Sequence, residues 1–176
     1  MSKESIPFVG LHAHSVAGSI FDGLGYPQEH MDYAYGNGMD ALALTDHGNM
    51  NGLAWQVLHA KKMQAEGKDF KPIFGCEAYF VPSIAEWRDD YETIMQDKKA
   101  ARAAKKDETS GATVEDEQAS KKAARNILNR RRHLVLLVQN QTGLNNLFKL
   151  ISESYQPENF YRYPRLDFDL LEKYNE

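Results

Sequence analysis

One cysteine, Cys76, is all that this 176-residue chain holds. An internal disulfide is excluded, and such sparing use fits a reducing compartment. Long apolar runs are missing too: none approaches the ~20 residues that a membrane span needs. The opening residues Met1 to Pro7 carry Lys3 and Glu4 and lack the apolar stretch of a signal peptide. The expected location is therefore the cytoplasm, with no membrane partner. Excess positive charge is absent, since 21 Lys and Arg stand against 25 Asp and Glu, a net charge of -4. That rules out a uniformly basic coat for nucleic acid but leaves room for a local patch. Neither a P-loop nor a Gly-x-Ser-x-Gly elbow occurs, so an NTPase phosphate cradle and a serine nucleophile have no support. Apolar material, by contrast, is plentiful. With 42% hydrophobic and 11% aromatic residues the chain cannot be intrinsically disordered, and its length suits one domain or part of a larger one.

The charge is unevenly spread. Residues 86–132 hold twelve basic and ten acidic side chains, and the remainder holds nine and fifteen. Within that stretch, Ala100 to Ser120 contains almost nothing large and apolar. Such a segment cannot bury a core face, so residues 86–132 are expected to be an exposed insertion, helical at both ends and loose near Thr109 to Thr113. Lys121 to Arg132 holds six basic residues and no acidic one; a solvated helix face and a phosphate-backbone contact both fit. On either side, short apolar segments alternate with helical spacing. Strands are expected over Pro7 to His14, Asp40 to Thr45, Lys71 to Val81 and His133 to Gln139. Helices are expected over Pro27 to Tyr35, Asn51 to Glu66 (with Leu53, Val57 and Leu58 inward) and Thr142 to Tyr155. This alternation predicts an α/β fold with a parallel sheet covered on both faces, and no further buried strand after Phe160.

Six histidines are present, and their placement carries the chemistry. His12 and His14 lie two apart at the end of the first expected strand, and so share a face. His47 follows the second strand in Leu-Thr-Asp-His-Gly, and Glu77 lies in the third in Gly-Cys-Glu-Ala-Tyr. Asp22 is in the loop after the first strand. Strand reading alone puts His133 at the start of its strand. Histidines near strands are often merely packed, but three successive strands delivering His, His and Glu to one end of a parallel sheet point to metal, at the end where α/β folds place their sites. Mixed imidazole and carboxylate donors favour Zn, Mn or Fe over Ca or Mg. More than four donors suggest two or three ions, an arrangement suited to phosphoester hydrolysis. His30 and His59, on helices without companions, are expected to be surface or core residues. Cys76, beside Glu77, alternates to the opposite face and is expected in the core.

Gly10-Leu-His-Ala-His-Ser15 with Phe21-Asp-Gly23, Leu44-Thr-Asp-His-Gly-Asn-Met50 and Lys71-Pro-Ile-Phe-Gly-Cys-Glu-Ala-Tyr79 resemble the first motifs of the PHP (polymerase and histidinol phosphatase) family. His133-Leu-Val-Leu-Leu-Val-Gln-Asn140, Thr142 to Ile151 and Phe160-Tyr-Arg-Tyr-Pro-Arg165 resemble the branch that opens the alpha subunit of bacterial DNA polymerase III, a C-family replicative polymerase. The resemblance implies a distorted TIM-like barrel, of which this chain supplies about the first four βα units; residues 1–176 are then the N-terminal portion of a single PHP domain. It implies a metal site of Zn or Mn, two or three ions, on His12, His14, Asp22, His47, Glu77 and His133. It also implies phosphoesterase activity, with a 3′–5′ proofreading exonuclease role in some members. The segment that would bring a Cys and an Asp-x-His pair is absent. The partners expected are therefore DNA, met through the complete polymerase, and a second polypeptide carrying the rest of the barrel and the polymerase. A non-catalytic scaffold supporting the polymerase and a free-standing phosphatase are the alternatives.

Overall fold

In a computed structural model that describes residues 8–106 and 114–175, helices and strands alternate along most of the chain. They run α1 (Pro27–Gly36), β1 (Ala41–Leu44), α2 (Leu53–Ala65), β2 (Lys71–Phe80), α3 (Ile84–Lys106), α4 (Val114–Leu128), β3 (Arg132–Leu137), α5 (Gln141–Ser154), β4 (Phe160–Tyr161), β5 (Tyr163–Leu166) and α6 (Phe168–Lys173). Local chemistry sets the ends. Pro27 opens α1, and Glu29 turns back to accept the Tyr26 N–H at 2.7 Å. Asn140 caps α5 by accepting from Gly143 N at 2.8 Å. Asp167 caps α6 through Leu170 N and also accepts the Ile84 N–H at the start of α3.

The sheet is built around β2. β1 runs parallel to its first half, with Ala41 beside Lys71 and Leu44 beside Phe74. β5 runs parallel to its last two residues, and β4 returns on β5 as a short hairpin. β3 pairs with β2 antiparallel, from Gly75 opposite Leu137 to Phe80 opposite Arg132. Apolar residues fill two cores. Met31, Ala34, Leu42, Leu44, Met63 and Phe70 join α1 and α2 to β1 and β2. Cys76, Ala78, Leu147, Leu150 and Leu166 join α5 to β2 and β5. Cys76 is fully buried in the second, as alternation requires, and burial pushes its thiol up to about 12.

Four expectations need correction. The sheet is mixed, because β3 is antiparallel. The reason lies in the segment before it: α3 and α4 form a helical hairpin, and the indole N–H of Trp87 donates to the carbonyl of Leu128 at 3.3 Å. The chain thus returns to the end of β2 that it left. Second, a buried strand does follow Phe160, namely β5, whose Pro164, Arg165 and Leu166 are all buried. Third, Phe8 to His14 is not a laddered strand. It makes one bridge, Gly10 with Leu42, and offers the Gly10 and Ala13 carbonyls to Ala43 N and Thr45 N at 2.7 and 2.8 Å. Fourth, α2 buries Gln56 and Met63, whereas Leu58 is 65% exposed. In the insertion, helices flank the expected loose tip, which lies outside the described residues at Thr109 to Thr113. Trp87 and Leu128 at its base are buried, while Ala101 to Ala103 are exposed.

Candidate metal centre

Glu77 is the pivot. It is 3% exposed, and three imidazoles reach it: His12 Nε2 donates to Oε2 at 2.5 Å, His14 Nε2 to the same oxygen at 2.6 Å, and His133 Nδ1 to Oε1. Burial by itself would raise this carboxyl; the hydrogen bonds from His12, His133 and His14 and the charge of His47 overcome it and hold the group at about 2. His12 Nε2 and His14 Nε2 lie only 3.2 Å apart, close to the ~3.3 Å edge of a tetrahedron of ligands around one zinc-sized ion. Asp22 Oδ2 accepts from His47 Nε2 at 2.8 Å and lies 3.5 Å from His14 Nδ1. Burial works to raise Asp22 as well, but His47 and His14 bring it below its ordinary value.

Among the described residues these side chains form three overlapping donor sets: His12, His14 and Glu77; His14, Asp22 and His47; His47, Glu77 and His133. His14, His47 and Glu77 are each shared. His47 Nδ1 is buried without a hydrogen-bond partner, 3.6 Å from Glu77 Oε2. An orphaned imidazole nitrogen facing a carboxylate suits a cation between them, so the donor set fits metal. All six residues singled out in the sequence thus meet in one cluster. His133 joins because β3 is antiparallel: its first residues lie beside the last of β2, with His133 opposite Tyr79.

Loop chemistry fixes the candidate ligands. Asp46, buried, accepts from Ser15 N at 2.7 Å, Ser15 Oγ at 2.8 Å and Ser19 Oγ at 3.0 Å, and Ser19 Oγ in turn takes the His47 N–H. Asn49 Nδ2 donates to the carbonyls of Gly18 and His47. This network ties the segment after His14 to the turn that carries His47. Gly48 has φ +66, and a Cβ there would lie 2.9 Å from Pro164 and 3.3 Å from the Tyr79 ring, so glycine lets His47 sit against that ring. Sequence reasoning passed over Ser15, Ser19, Asp46 and Asn49, although polar residues bracketing His14 and His47 were the available signal. His30, expected to be a surface or core residue, lines a cavity of about 330 Å³ together with His12, Ala13, His14, Asp22 and Leu24. His59, expected to lack a companion, pairs with Asp32 at 2.9 Å.

A family model described as PHP domain matches residues 10–176. The chain is similar to the DNA polymerase III subunit alpha of Aquifex aeolicus, 34% identical over 100% of this chain and 12% of that protein. It is also similar to that of Treponema pallidum, 35% identical over 96% of this chain and 11% of that one. The chain therefore spans about a tenth of the length of these curated relatives. Among solved structures, a candidate metal-dependent phosphoesterase from Bifidobacterium adolescentis covers 90% of this chain and 57% of its own at 14% identity and a TM-score of 0.37. An amidohydrolase from Chromobacterium violaceum covers 42% and 23% at 29% identity and a TM-score of 0.34.

Proposed function

Because the chain belongs to the PHP domain family, whose model matches residues 10–176, we propose that it is the N-terminal portion of a DNA polymerase III alpha subunit and acts in metal-dependent phosphoester hydrolysis, as a 3′–5′ proofreading exonuclease in replication. The observation that carries this reading is the convergence of three imidazoles on buried Glu77, with His47 and Asp22 alongside. In this reading His12, His14, Asp22, His47, Glu77 and His133 hold two or three ions, Zn or Mn. Metal held there would supply a lowered pKa for a bound water and charge stabilisation for the oxygens of a phosphodiester. Glu77, with both oxygens committed, bridges two donor sets. Half-exposed Asp22 closes the solvent side, and Asp46 keeps His14 and His47 at fixed separation. Residues 86–132 are an insertion into a distorted TIM-like barrel, of which the described sheet is the first part. DNA is met by the whole polymerase in the cytoplasm.

The test begins with equilibrium dialysis of the chain against Mn and Zn, then follows loss of a 3′ label from single-stranded DNA by the complete polymerase. His14→Ala and Glu77→Ala each abolish metal binding and the nuclease while leaving the fold intact. Metal binding that survives both substitutions sinks the reading. A non-catalytic scaffold that supports the polymerase, with any metal serving stability, is the alternative. Metal binding without nuclease activity would select that alternative.

A further inference from the structure

Side chains at the mouth of the cluster continue beyond the six candidate ligands. In an antiparallel pair, directly opposed residues share a face, and alternate residues repeat it. Glu77 opposes Val135 and Tyr79 opposes His133, so Arg131, two residues before His133, lies on the face that carries Glu77, Tyr79 and His133. Contacts agree with the register. The Tyr79 ring stacks on His47 at 5.8 Å with an interplanar angle of 7°, and meets His133 edge-on at 5.2 Å. The Arg131 guanidinium sits 3.8 Å over the Tyr163 ring and 5.2 Å from that of Tyr79.

Three arginines lie close together here, and their partners differ. Arg165 donates to four backbone carbonyls. Arg130 pairs with Asp90 at 2.8 Å. Arg131 gives one hydrogen bond, from Nη1 to the carbonyl of Asn129 at 3.1 Å, and its buried Nε has no partner. Among the described residues no carboxylate pairs with it. Two aromatic faces thus hold a planar cation still, with donors free, beside a cluster of four imidazoles and two carboxylates. A guanidinium in that state suits the oxygens of a phosphate, which it can grip with two parallel N–H bonds.

We propose that Arg131 is a substrate-binding residue that takes a non-bridging phosphate oxygen of the ester presented to the cluster, with Tyr79 and Tyr163 as its positioning residues. The inference rests on the phosphoester reading for its substrate class. It needs no metal for its own test. The full 176-residue chain, stripped of metal by chelation, is titrated with fluorescein-labelled hexathymidylate and, separately, with inorganic phosphate. Wild type, Arg131→Gln, Arg131→Lys and Arg130→Gln are compared by anisotropy at several salt concentrations. Arg131→Gln weakens hexathymidylate roughly tenfold and lowers the salt slope by about one. Arg131→Lys regains part of the loss, and Arg130→Gln changes little. In the wild-type chain, the Arg131 Nε–H resonance shifts as hexathymidylate is added, a readout that requires no variant to fold. Hexathymidylate responding while inorganic phosphate does not would assign the site to diesters; response to both would assign it to phosphate oxygens generally. A resonance that stays put, no binding by wild type, or equal losses in Arg130→Gln and Arg131→Gln overturns the proposal. Zinc titration of the same samples keeps the two readings apart. Zinc binding lost only in Arg131→Gln would make Arg131 a structural staple and overturn the inference. Zinc binding absent from every sample, with the phosphate response intact, would remove the metal reading alone.

Discussion

Two buried charges stand on the neighbouring strands β2 and β5, Arg165 beside Tyr79 and two places along from Glu77, and they are satisfied in opposite ways. Glu77 is met by side chains, the imidazoles of His12, His14 and His133. Arg165, 0% exposed, is met by backbone: its guanidinium donates to the carbonyls of Leu128, Arg130, Tyr161 and Tyr163 and lies 4.1 Å over the Trp87 ring. Burial works against both charges. For Glu77 the imidazoles win and the carboxyl falls to about 2. For Arg165 burial prevails, helped by neighbouring Arg131, and the group drops to about 10, still charged at neutral pH. The lesson concerns what each environment can exchange. Carbonyls held in place by the chain can serve only the guanidinium, so Arg165 is a clamp between the base of the insertion and the β4–β5 hairpin. Imidazoles can turn their nitrogens from a carboxylate to a cation, so Glu77 sits in an environment that can change partner.

Breaking the clamp has the largest expected effect. Arg165→Ala orphans several buried carbonyls and leaves a cavity beneath Trp87, at a cost of about 3–5 kcal/mol, read as a shift in the urea midpoint. A loss below about 1 kcal/mol would mean that the carbonyls find water and that the contrast with Glu77 is false. The next effect is on metal. At a hundredfold excess over Kd, Zn or Mn stabilises wild type by roughly 2.7 kcal/mol, seen as a rise in Tm, and Glu77→Gln removes that rise while Arg165→Met retains it in proportion to folded protein. Acid gives the third comparison. The folded carboxyl of Glu77 lies below its unfolded value, so its stabilisation is complete above the ordinary glutamate range and is lost as pH falls from about 4.5 towards about 2. Urea titrations across that window show a steeper loss for wild type than for Glu77→Gln. The smallest effect belongs to the outer insertion. Removing residues 100–120 changes stability by no more than about 0.5 kcal/mol, because Trp87 and Leu128, which anchor the base, lie outside the deletion. A larger drop in Tm would extend the clamp's reach along α3 and α4.

Much of this was written in the order of residues. Pro27, Gly67 and the apolar run Ala41–Leu44 mark a helix start, a helix stop and a buried strand by short-range sterics and burial alone. Period two put Cys76 into the core and Glu77 on the other face. His-x-His, Asp-His-Gly and Cys-Glu supplied the donor types, because a metal site needs particular side chains whatever the fold around them.

Tertiary structure decided how these pieces meet. A strand's residues do not encode its direction, which depends on where the preceding connection delivers the chain. The α3–α4 hairpin returns to its starting point, so β3 runs antiparallel and carries His133 to Glu77 and Arg131 to Tyr79. β5 was hidden because its four residues include Pro164 and Arg165, and only four backbone carbonyls and the Trp87 face make burying that arginine tolerable. Phe8 to His14 reads as a strand by pattern, yet it makes only one bridge to β1, and its Gly10 and Ala13 carbonyls accept from Ala43 and Thr45. The sequence alone thus determined which groups are available and which local element each occupies, since those follow from contacts within a few residues. Which groups touch was left to the long-range pairing of β2, because that pairing depends on connections far away in the chain.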